Sequence, residues 1–570
     1  MMAAAARPLT KLARMSLCAL IMALAFVGAD AVGAHAADRQ EAAELQTAAV
    51  QPGAIGSRRA TGLPAVLSEA DRTLYRRLFA QEAKGNHAET DLLLPKLSEP
   101  ILIGDVLAAR YLAATYRTSY AELSAWLALY GDRPDAGAIY RLALSKKPKT
   151  AAAPKKPSSL SADVKRPQHG AALERVACAA GKGRAASLKS AQHELSRNNN
   201  GKALALIESL TKAPDCPEAM WIAGLAAFRL GDDETARRHF EALAETAGAP
   251  ESLIAAGAYW AGRVHLRAKR PQLVSHWLGA AAEHSRTFYG LVAQRALGMT
   301  VRPMWDREPL TSAALDAIGN LPRLRHAIAL YQVGEGERAE PLVLSLIERA
   351  TPEMQRALLP LVQSLGAPGL EVALAKRAAS VDGRRHDASA YPMPDWRPVN
   401  GRPFDRAFVF ALIRSESGFQ SRARNPSGAS GIMQLMPATA RFAAKRAGIK
   451  GVNAASINKP EISIALGQSY IDYLIETPEV DGNLFRLVAA YNAGPGAVGR
   501  WSEAAEGDDP LLFIETLPSR ETRDLIERVA ADYWIYRMRL GEPTPSLDDA
   551  AANRWPRYEG KVARKIAKNG

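Results

Sequence analysis

The sequence predicts an all-α protein with several helical domains. Of the 570 residues, 48% are hydrophobic but only 6% are aromatic, and alanine runs are frequent. Valine, isoleucine and threonine seldom alternate with polar residues as they do in half-buried strands, whereas apolar residues recur at the spacing of helix faces. A chain of this length is too long for one hydrophobic core, so we expect it to divide into domains.

The N-terminal segment has the pattern of an export signal. Three basic residues precede an apolar run over 15–27, and the sequence AHA at 34–36 offers a small-residue cleavage site. We therefore predict a signal peptide over 1–36 and a disordered polar segment over 37–62. The alternative is an uncleaved membrane anchor. With the signal removed, we expect a periplasmic chain with no transmembrane segment.

Helices are expected through the middle of the chain. Residues 63–145 predict an N-terminal helical region, and a Lys/Pro-rich linker over 146–170 precedes a helix-repeat domain over 171–390. The stretch AMWIAGLAAFRLGDDETARRHFEALAE has the apolar pattern of a tetratricopeptide-like hairpin with its turn at Gly231-Asp232, and a weaker copy begins about 39 residues later. Such hairpins bury their faces only by stacking, so we predict a superhelix.

The large aromatic residues of the repeat are predicted to pack between helices rather than to bind sugars. They are Trp221, Phe228, Trp260 and Trp277.

Charge and cysteine content limit the choice of partners. The formal net charge is +14, which suits a polyanion such as nucleic acid, acidic lipid or a wall polymer with peptide carboxylates. Export makes nucleic acid the least suitable of these three, so we expect no nucleic-acid partner. Cys178 and Cys216 either pair in an oxidising compartment or remain separate buried thiols. Neither has metal ligands at suggestive spacing, so we expect no metal and no cofactor.

The last domain contains a candidate catalytic carboxyl group. A proline-rich passage introduces this domain, which we place at 391–541, before a basic tail over 542–570. Glu416 continues the apolar face of its predicted helix and therefore points to the buried side, and Gly418 is placed to end the helix. Burial and the negative end of the helix dipole both raise a carboxyl pKa, which suits a general acid.

Two glycine-containing segments follow this glutamate. Residues 425–431 predict a tight loop that lets the backbone approach a ligand, with Met433 and Gln434 projecting from its far end. The alternative for Met433 is a gap-filler in the core. Residues 489–496 end another helix in Gly-Pro-Gly, and Tyr491 just before can present its hydroxyl to a neighbouring carboxyl group.

Four motifs in the last third of the chain occur in a fixed order. They are Glu416-Ser417, Gly431-Ile432-Met433-Gln434, Ala490-Tyr491-Asn492-Ala493-Gly494 and Glu521-Thr522-Arg523. In this order they resemble the soluble lytic murein transglycosylase family, whose catalytic domain is similar to goose-type lysozyme. The segment TFYGLVAQRALG at 287–298 also resembles the superhelical region of that family. The resemblance therefore implies a superhelix followed by a lysozyme-like α-helical domain.

The resemblance implies that Glu416 is the sole catalytic acid/base. It would protonate the oxygen between N-acetylmuramic acid and N-acetylglucosamine in peptidoglycan glycan strands. As a carboxylate it would then help the muramyl 6-hydroxyl to attack the anomeric carbon, which gives 1,6-anhydromuramic acid without water. An internal nucleophile removes the need for the second carboxylate of ordinary glycosidases.

The resemblance also implies a set of residues that bind the glycan. They are Ser417, Met433, Gln434, Tyr491, Asn492 and Glu521. Of these, Tyr491 would hydrogen-bond and orient Glu416, and Glu521 would support the groove. Candidate protein partners are those of cell-wall synthesis or secretion machinery.

One residue differs from the family pattern, and two alternative functions are open. Leu525 stands where the family usually has an aromatic residue, which affects one wall of the groove. A hydrolytic muramidase would need a water-positioning carboxylate, for which Asp481 and Glu476 are weak candidates. A catalytically silent, wall-binding scaffold is opposed by the intact Glu416 and Tyr491.

Overall fold

The computed structural model describes residues 63–158, 182–213, 216–318, 321–382, 384–504 and 508–560. Within these ranges the regular structure is helical and only isolated β-bridges occur, so the predicted all-α class is confirmed. No helix in these ranges is both long and apolar enough to cross a bilayer. The predicted signal peptide, the segment over 37–62 and Cys178 lie outside the described residues.

The helices are numbered here in chain order. The first twelve are α1 Glu69–Lys84, α2 His87–Leu93, α3 Ile103–Leu112, α4 Tyr120–Tyr130, α5 Ala136–Ser145, α6 Lys182–Ser196, α7 Asn200–Ile207, α8 Pro217–Leu230, α9 Asp233–Ala244, α10 Glu251–Arg267, α11 Pro271–Glu283 and α12 Phe288–Ala296. They are followed by α13 Ser312–Ile318, α14 Pro322–Gln332, α15 Gly336–Arg349, α16 Pro352–Leu365, α17 Pro368–Asp382, α18 Asp387–Ala390, α19 Arg406–Ser417, α20 Pro437–Ala447, α21 Pro460–Ile475, α22 Leu484–Ala493, α23 Pro495–Ala504, α24 Pro510–Thr516, α25 Arg520–Arg539 and α26 Pro545–Ala551.

The chain forms two compact units, each built from two stretches of sequence. The first unit combines residues up to 167 with 306–392, and the second combines 168–305 with residues from 393 onward. The helix-repeat domain predicted over 171–390 therefore has parts in both units. The predicted domain boundaries remain predictions.

The first unit is held by one hydrophobic core to which both of its stretches contribute. Fully buried residues of this core include Leu78 and Trp126 from the N-terminal helices and Leu358 from α16. The predicted linker begins inside this unit, because Lys146 donates to the Thr118 carbonyl at 2.6 Å and the Ser158 amide to the Gly131 carbonyl at 3.1 Å. Described residues 146–158 are thus non-helical but hydrogen-bonded to their neighbours.

The second unit begins with helix hairpins, α6 to α12, in which each helix packs on the next. The predicted hairpin is confirmed as α8 and α9: Gly231 ends α8 in the left-handed conformation with φ 76°, and Asp232 caps α9 by accepting from the Thr235 amide at 3.0 Å. The three tryptophans predicted to pack are buried, with exposed fractions of 2%, 0% and 7% for Trp221, Trp260 and Trp277.

The predictions for Phe228 and Cys216 can also be compared with the structure. Phe228 is half-buried, and the Arg267 guanidinium lies 3.9 Å from the centre of its ring. Cys216 is fully buried and disulfide-bonded, which excludes a free thiol at that position.

The same unit joins the repeat helices to the C-terminal helices. The ring of Phe288 on α12 stacks on Trp534 of α25 with centroids 5.4 Å apart, and the Tyr289 hydroxyl donates to buried Glu515 at 2.6 Å. An ion pair of 2.5 Å links Arg263 of α10 with Asp509. The C-terminal helices are therefore fixed to the hairpins by both apolar and polar contacts.

Part of the predicted basic tail is folded into this unit. Residues 545–551 form α26, where Asp548 pairs with Arg295 of α12 at 2.5 Å. Tyr558 is buried, and its hydroxyl donates to Asp405 at 3.0 Å. The sequence gives no sign of these contacts because their partners lie far away along the chain.

Substituting Gly224 should destabilise the α8–α9 hairpin. A Cβ atom at this position would lie 2.5 Å from the ring of Phe240, so Gly224→Ala overpacks the hairpin and should cost about 1–3 kcal/mol of unfolding free energy. Gly279→Ala on α11 is the matched control, because a Cβ atom there meets nothing within 4 Å and alanine favours the helix by about 0.5–1 kcal/mol. Thermal unfolding followed by circular dichroism measures both, and equal shifts would contradict this packing.

Candidate active site

The candidate acid, Glu416, lies in the last turn of α19. The helix begins where Asp405 accepts a hydrogen bond from the Phe408 amide at 3.0 Å. It ends at Gly418, which has φ 54° and whose amide donates to the Arg414 carbonyl at 3.1 Å. The predicted position of Glu416 at a helix end is confirmed, and its side chain is half-buried.

The surroundings of Glu416 favour its protonated form. Burial raises its pKa to about 7, the Arg528 guanidinium opposes this shift, and the negative charge of Glu521 adds to it. A carboxyl group with a pKa near 7 is present in both protonation states at neutral pH, so it can give a proton and take one back. Partial exposure leaves this group accessible to a ligand.

An ion pair between half-buried Arg414 and buried Asp532 fixes α19 against α25. The Arg414 guanidinium donates to both oxygens of Asp532 at 2.8 and 2.9 Å, and the Ser415 hydroxyl donates to the same carboxylate at 3.3 Å. Burial raises the pKa of Asp532, while Arg414 counteracts that shift. These contacts hold the residues just before Glu416 to the helix that carries Glu521 and Arg528.

The loop after Glu416 forms a backbone wall. Gly431 has φ 77°, and a Cβ atom there would clash with the Ile457 carbonyl oxygen, so only glycine fits. The Gln434 side-chain amide donates to the carbonyls of Ala423 at 2.9 Å and Gly431 at 2.7 Å. The predicted tight loop is thus held by its own side chain, and the Gln434 Oε1 atom remains as an acceptor.

Met433 faces the core, as its alternative interpretation predicted. Its side chain is fully buried, and a Cβ atom on Gly467 of α21 would clash with its sulfur. Its amide donates to Ser463 at 3.3 Å, and its carbonyl accepts from the Tyr491 hydroxyl at 2.7 Å. Met433 therefore contributes its backbone to the site, while its side chain fills the core.

Tyr491 uses its hydroxyl proton on the backbone. Because that proton goes to the Met433 carbonyl, it is not available to Glu416. The two residues are nevertheless close enough to interact, since burial first and then the Glu416 charge raise the Tyr491 pKa well above its usual value. The hydrogen bond predicted between them can form only with the tyrosine oxygen as acceptor and a protonated Glu416 as donor.

The Glu521-Thr522-Arg523 motif lies in the first turn of α25, and its three side chains have different environments. Glu521 is exposed, buried Thr522 donates its hydroxyl to the Asn492 side-chain oxygen at 2.6 Å, and buried Arg523 donates to the Leu517 carbonyl. Thr522 thereby fixes the amide of Asn492 and leaves its NH₂ group to donate.

Ser417 lies away from any open surface. It is fully buried, and its hydroxyl donates to the Ile413 carbonyl one turn earlier at 2.9 Å. The structure therefore brings Glu416, Gln434, Tyr491, Asn492 and Glu521 around one region and places Ser417 behind it.

Comparisons with known proteins agree on one family. The model of the Transglycosylase SLT domain family matches residues 401–513. A soluble lytic murein transglycosylase of Escherichia coli is 34% identical over 163 residues, which cover 28% of this chain and 24% of the relative. An endo-type membrane-bound lytic murein transglycosylase A of Klebsiella pneumoniae is 31% identical over 140 residues, or 22% of this chain and 68% of that protein.

The chain belongs to the lytic murein transglycosylases with an SLT domain. Its fold matches the crystal structure of the 70 kDa soluble lytic transglycosylase of Escherichia coli with a TM-score of 0.56 at 18% identity, covering 86% of this chain and all of that one. At this identity the likeness establishes the fold, and it confirms the predicted class of helical superhelix followed by a lysozyme-like domain. The chain spans about a quarter of the length of the Escherichia coli relative matched by sequence.

The SLT-domain match contains four of the five residues that meet at the site. Glu521 lies beyond residue 513, in α25. Three residues that shape this site were not found from the sequence: Arg414, Arg528 and Asp532. Arg414 could have been noticed because it lies two residues before Glu416, but its partner Asp532 is 118 positions away along the chain.

The two other carboxylates proposed for a muramidase are engaged elsewhere. Asp481 is exposed and lies 4.0 Å from the Arg557 guanidinium. It precedes the start of α22, and Tyr491 lies near the other end of that helix, so about 10 Å of helix separates Asp481 from Tyr491. Glu476 pairs with Arg446 at 2.5 Å. Among the described residues, no group of three or more His, Cys, Asp or Glu side chains is arranged to hold a metal ion.

Single charge changes around this site should move the Glu416 pKa in opposite directions. Glu521→Gln removes a neighbouring negative charge and should lower the pKa below about 7, whereas Arg528→Gln should raise it. Infrared difference spectra against Glu416→Gln report the protonated carboxyl band during a pH titration. Glu251→Gln, an exposed change at the start of α10, is the control, and shifts of the same sign in both test variants would contradict this electrostatic account.

Glu416 should also make stability depend on pH. Its folded pKa of about 7 lies above the usual value near 4.3, so its favourable contribution is complete below pH 4 and is lost as the pH rises through 7. Glu416→Gln removes an ionised, half-buried group and should stabilise the protein by up to about 3 kcal/mol at pH 8. The gain at pH 5 should be clearly smaller. Melting temperatures of both proteins at the two pH values test this, and a gain independent of pH would refute it.

Proposed function

We propose that this chain is a peptidoglycan lytic transglycosylase. It cleaves the β-1,4 bond between N-acetylmuramic acid and N-acetylglucosamine and leaves 1,6-anhydromuramic acid ends. The observation that carries the proposal is a half-buried Glu416 with a pKa of about 7 inside the SLT-domain match. The names of the matched relatives, lytic murein transglycosylases, support the same reaction and substrate.

In the first step Glu416 acts as the acid. Its proton passes to the glycosidic oxygen as the bond from that oxygen to the anomeric carbon of N-acetylmuramic acid breaks. General acid catalysis of this kind contributes about 10²–10⁴-fold to the rate. Tyr491 interacts with this carboxyl group, but its own proton is held by the Met433 carbonyl, so it neither donates to the carboxylate nor takes the proton that passes to the sugar.

In the second step Glu416 acts as the base. The carboxylate takes the proton of the muramyl 6-hydroxyl while that oxygen bonds to the anomeric carbon, so Glu416 returns to its starting state. No water is consumed, and the tethered hydroxyl has a high effective concentration. This route needs one carboxyl group, which agrees with the engagement of Asp481 and Glu476 elsewhere.

The sugar contacts we propose follow from the atoms left over after the internal hydrogen bonds. Gln434 offers Oε1 and Asn492 offers its NH₂ group, because their other polar atoms bond within the protein. Glu521, which is exposed, acts through its charge on Glu416 and supports the groove. Ser417 and Met433 support the wall from inside the core.

We also propose that the protein works in the periplasm. The export pattern at the N-terminus, the net charge of +14 and the murein named for its relatives support this placement. Proteins of cell-wall synthesis or secretion machinery remain proposed partners.

The released products distinguish the possible reactions. Digestion of purified sacculi should give muropeptides one water lighter than hydrolysis products, with no reducing muramyl end, when analysed by mass spectrometry. Glu416→Gln should lower the rate by at least about 10²-fold because the acid is lost. Asp481→Asn is the matched control and should cleave at the wild-type rate.

Two results would overturn the proposal. Reducing-end products would make the protein a muramidase, and loss of activity in Asp481→Asn would identify its second carboxylate. No cleavage by a correctly folded wild-type chain would favour a wall-binding scaffold.

A further inference from the structure

The first unit contains a cavity rich in arginine that the proposed reaction does not use. Its volume is about 350 Å³, within the range of small-ligand sites. It lies between the residues that follow α4 and the beginning of α14. The charged side chains in its lining are Arg133, Arg323, Arg325, Asp132 and Glu99.

Arg133 is held by a buried chain of polar groups. His326, 2% exposed, places Nε2 at 2.8 Å from a carboxylate oxygen of Asp105, which is 1% exposed. Because a carboxylate only accepts, Nε2 carries the hydrogen, and the other ring nitrogen therefore accepts from the Arg133 guanidinium. Arg133 is thus fixed by hydrogen bonding to His326. No described hydrogen bond links this chain of groups to the candidate active site.

One donor of Arg133 has no acceptor. Its Nε atom is buried without a hydrogen-bond partner among the described residues, and the nearest carboxylate oxygen of Asp132 lies 3.7 Å away. A buried and unsatisfied guanidinium N–H costs stability unless a ligand or water accepts from it. The Nε atom has no accessible surface, so a ligand in the cavity can reach only the terminal N–H groups of this side chain, which is 20% exposed.

The start of α14 adds positive potential to the cavity. Pro322 and Arg323, both in the lining, are its first residues, and no side chain caps this 11-residue helix. The positive end of its dipole therefore acts together with three guanidinium groups.

The opposing carboxylates restrict the charge of the ligand. Asp132 and Glu99 leave the lining with one net positive charge, from three arginines against two acids. A single carboxylate neutralises this lining, whereas a phosphate carrying nearly two negative charges would leave it with a net negative charge. The acids also suit the amide N–H groups of a peptide, which accompany a terminal carboxylate.

We propose that this cavity binds the free carboxylate end of a peptide. The assignment of that peptide to the stems of peptidoglycan rests on the proposed function, whereas carboxylate binding does not. The arginines hold the carboxylate, and Asp132 or Glu99 accepts from the peptide amides. A second contact with the wall would thereby lie in the first unit, outside the SLT-domain match.

Calorimetric titration of the full chain tests this site directly. The probe is acetyl-D-alanyl-D-alanine, compared with its C-terminal amide and with inorganic phosphate. The acid should bind at least about tenfold more tightly than the amide, because charge-assisted hydrogen bonds are lost with the carboxylate. Phosphate should bind more weakly than the acid.

The variants locate the binding. Arg325→Gln, an exposed change, and Arg133→Gln should each weaken binding of the acid about tenfold or more. Arg117→Gln is the matched control, because it removes an exposed arginine of the same unit that does not line the cavity. If Arg133→Gln fails to fold, Arg325→Gln alone decides.

Several outcomes would overturn the proposal. They are no binding of the acid, equal binding of acid and amide, or Arg325→Gln binding as tightly as Arg117→Gln. Tighter binding of phosphate would mean that the cavity takes a free phosphate ion and not a peptide. Cleavage of peptide-free glycan strands is measured separately, so failure here leaves the proposed function to its own test.

Discussion

The ion pair between Arg414 and Asp532 sets the geometry on which the rest of the site depends. It joins α19, which carries the candidate acid, to α25, which carries the two groups whose charges adjust that acid. Asp532 is buried and Arg414 half-buried, so removing Arg414 would leave a buried carboxylate without its partner and would cost stability. The pair therefore acts less as a source of stability than as a fixed distance between two helices. The loop and α22 are then arranged around that frame.

The remaining hydrogen bonds of the site run away from the acid rather than toward it. Tyr491 is bonded to the backbone of Met433, Gln434 to its own loop, and Thr522 to Asn492. Since no described hydrogen bond satisfies the ionised form of Glu416, burial determines its proton affinity and raises its pKa. A salt bridge to that carboxyl group would have the opposite effect. Because the neighbouring donors are bonded to other acceptors, they do not stabilise the Glu416 carboxylate, and its pKa stays raised.

Local patterns allowed much of this to be predicted from the sequence, and long-range contacts account for what was missed. The end of α19 at Gly418 and the turn at Gly231 were predictable because helix termination is encoded within a few residues. The inward-facing Met433 side chain depends on the absence of a side chain at Gly467, and the pairing of Asp532 joins residues 118 positions apart. Folding of residues 545–558 onto the second unit depends likewise on distant partners.

The split of the first unit into two stretches of sequence has a consequence for its synthesis. Its core needs residues such as Leu78 and Trp126 together with Leu358, yet the chain between 168 and 305 belongs to the other unit. When α1 to α5 emerge during translation they can pack on one another, but the surfaces that contact 306–392 have no native partner until more than a hundred further residues have been made. These helices must therefore wait in an incomplete state, open to chaperones or to wrong associations. A stop codon near residue 305 would remove no helix of that early group, but it would deny the first unit more than half of its core.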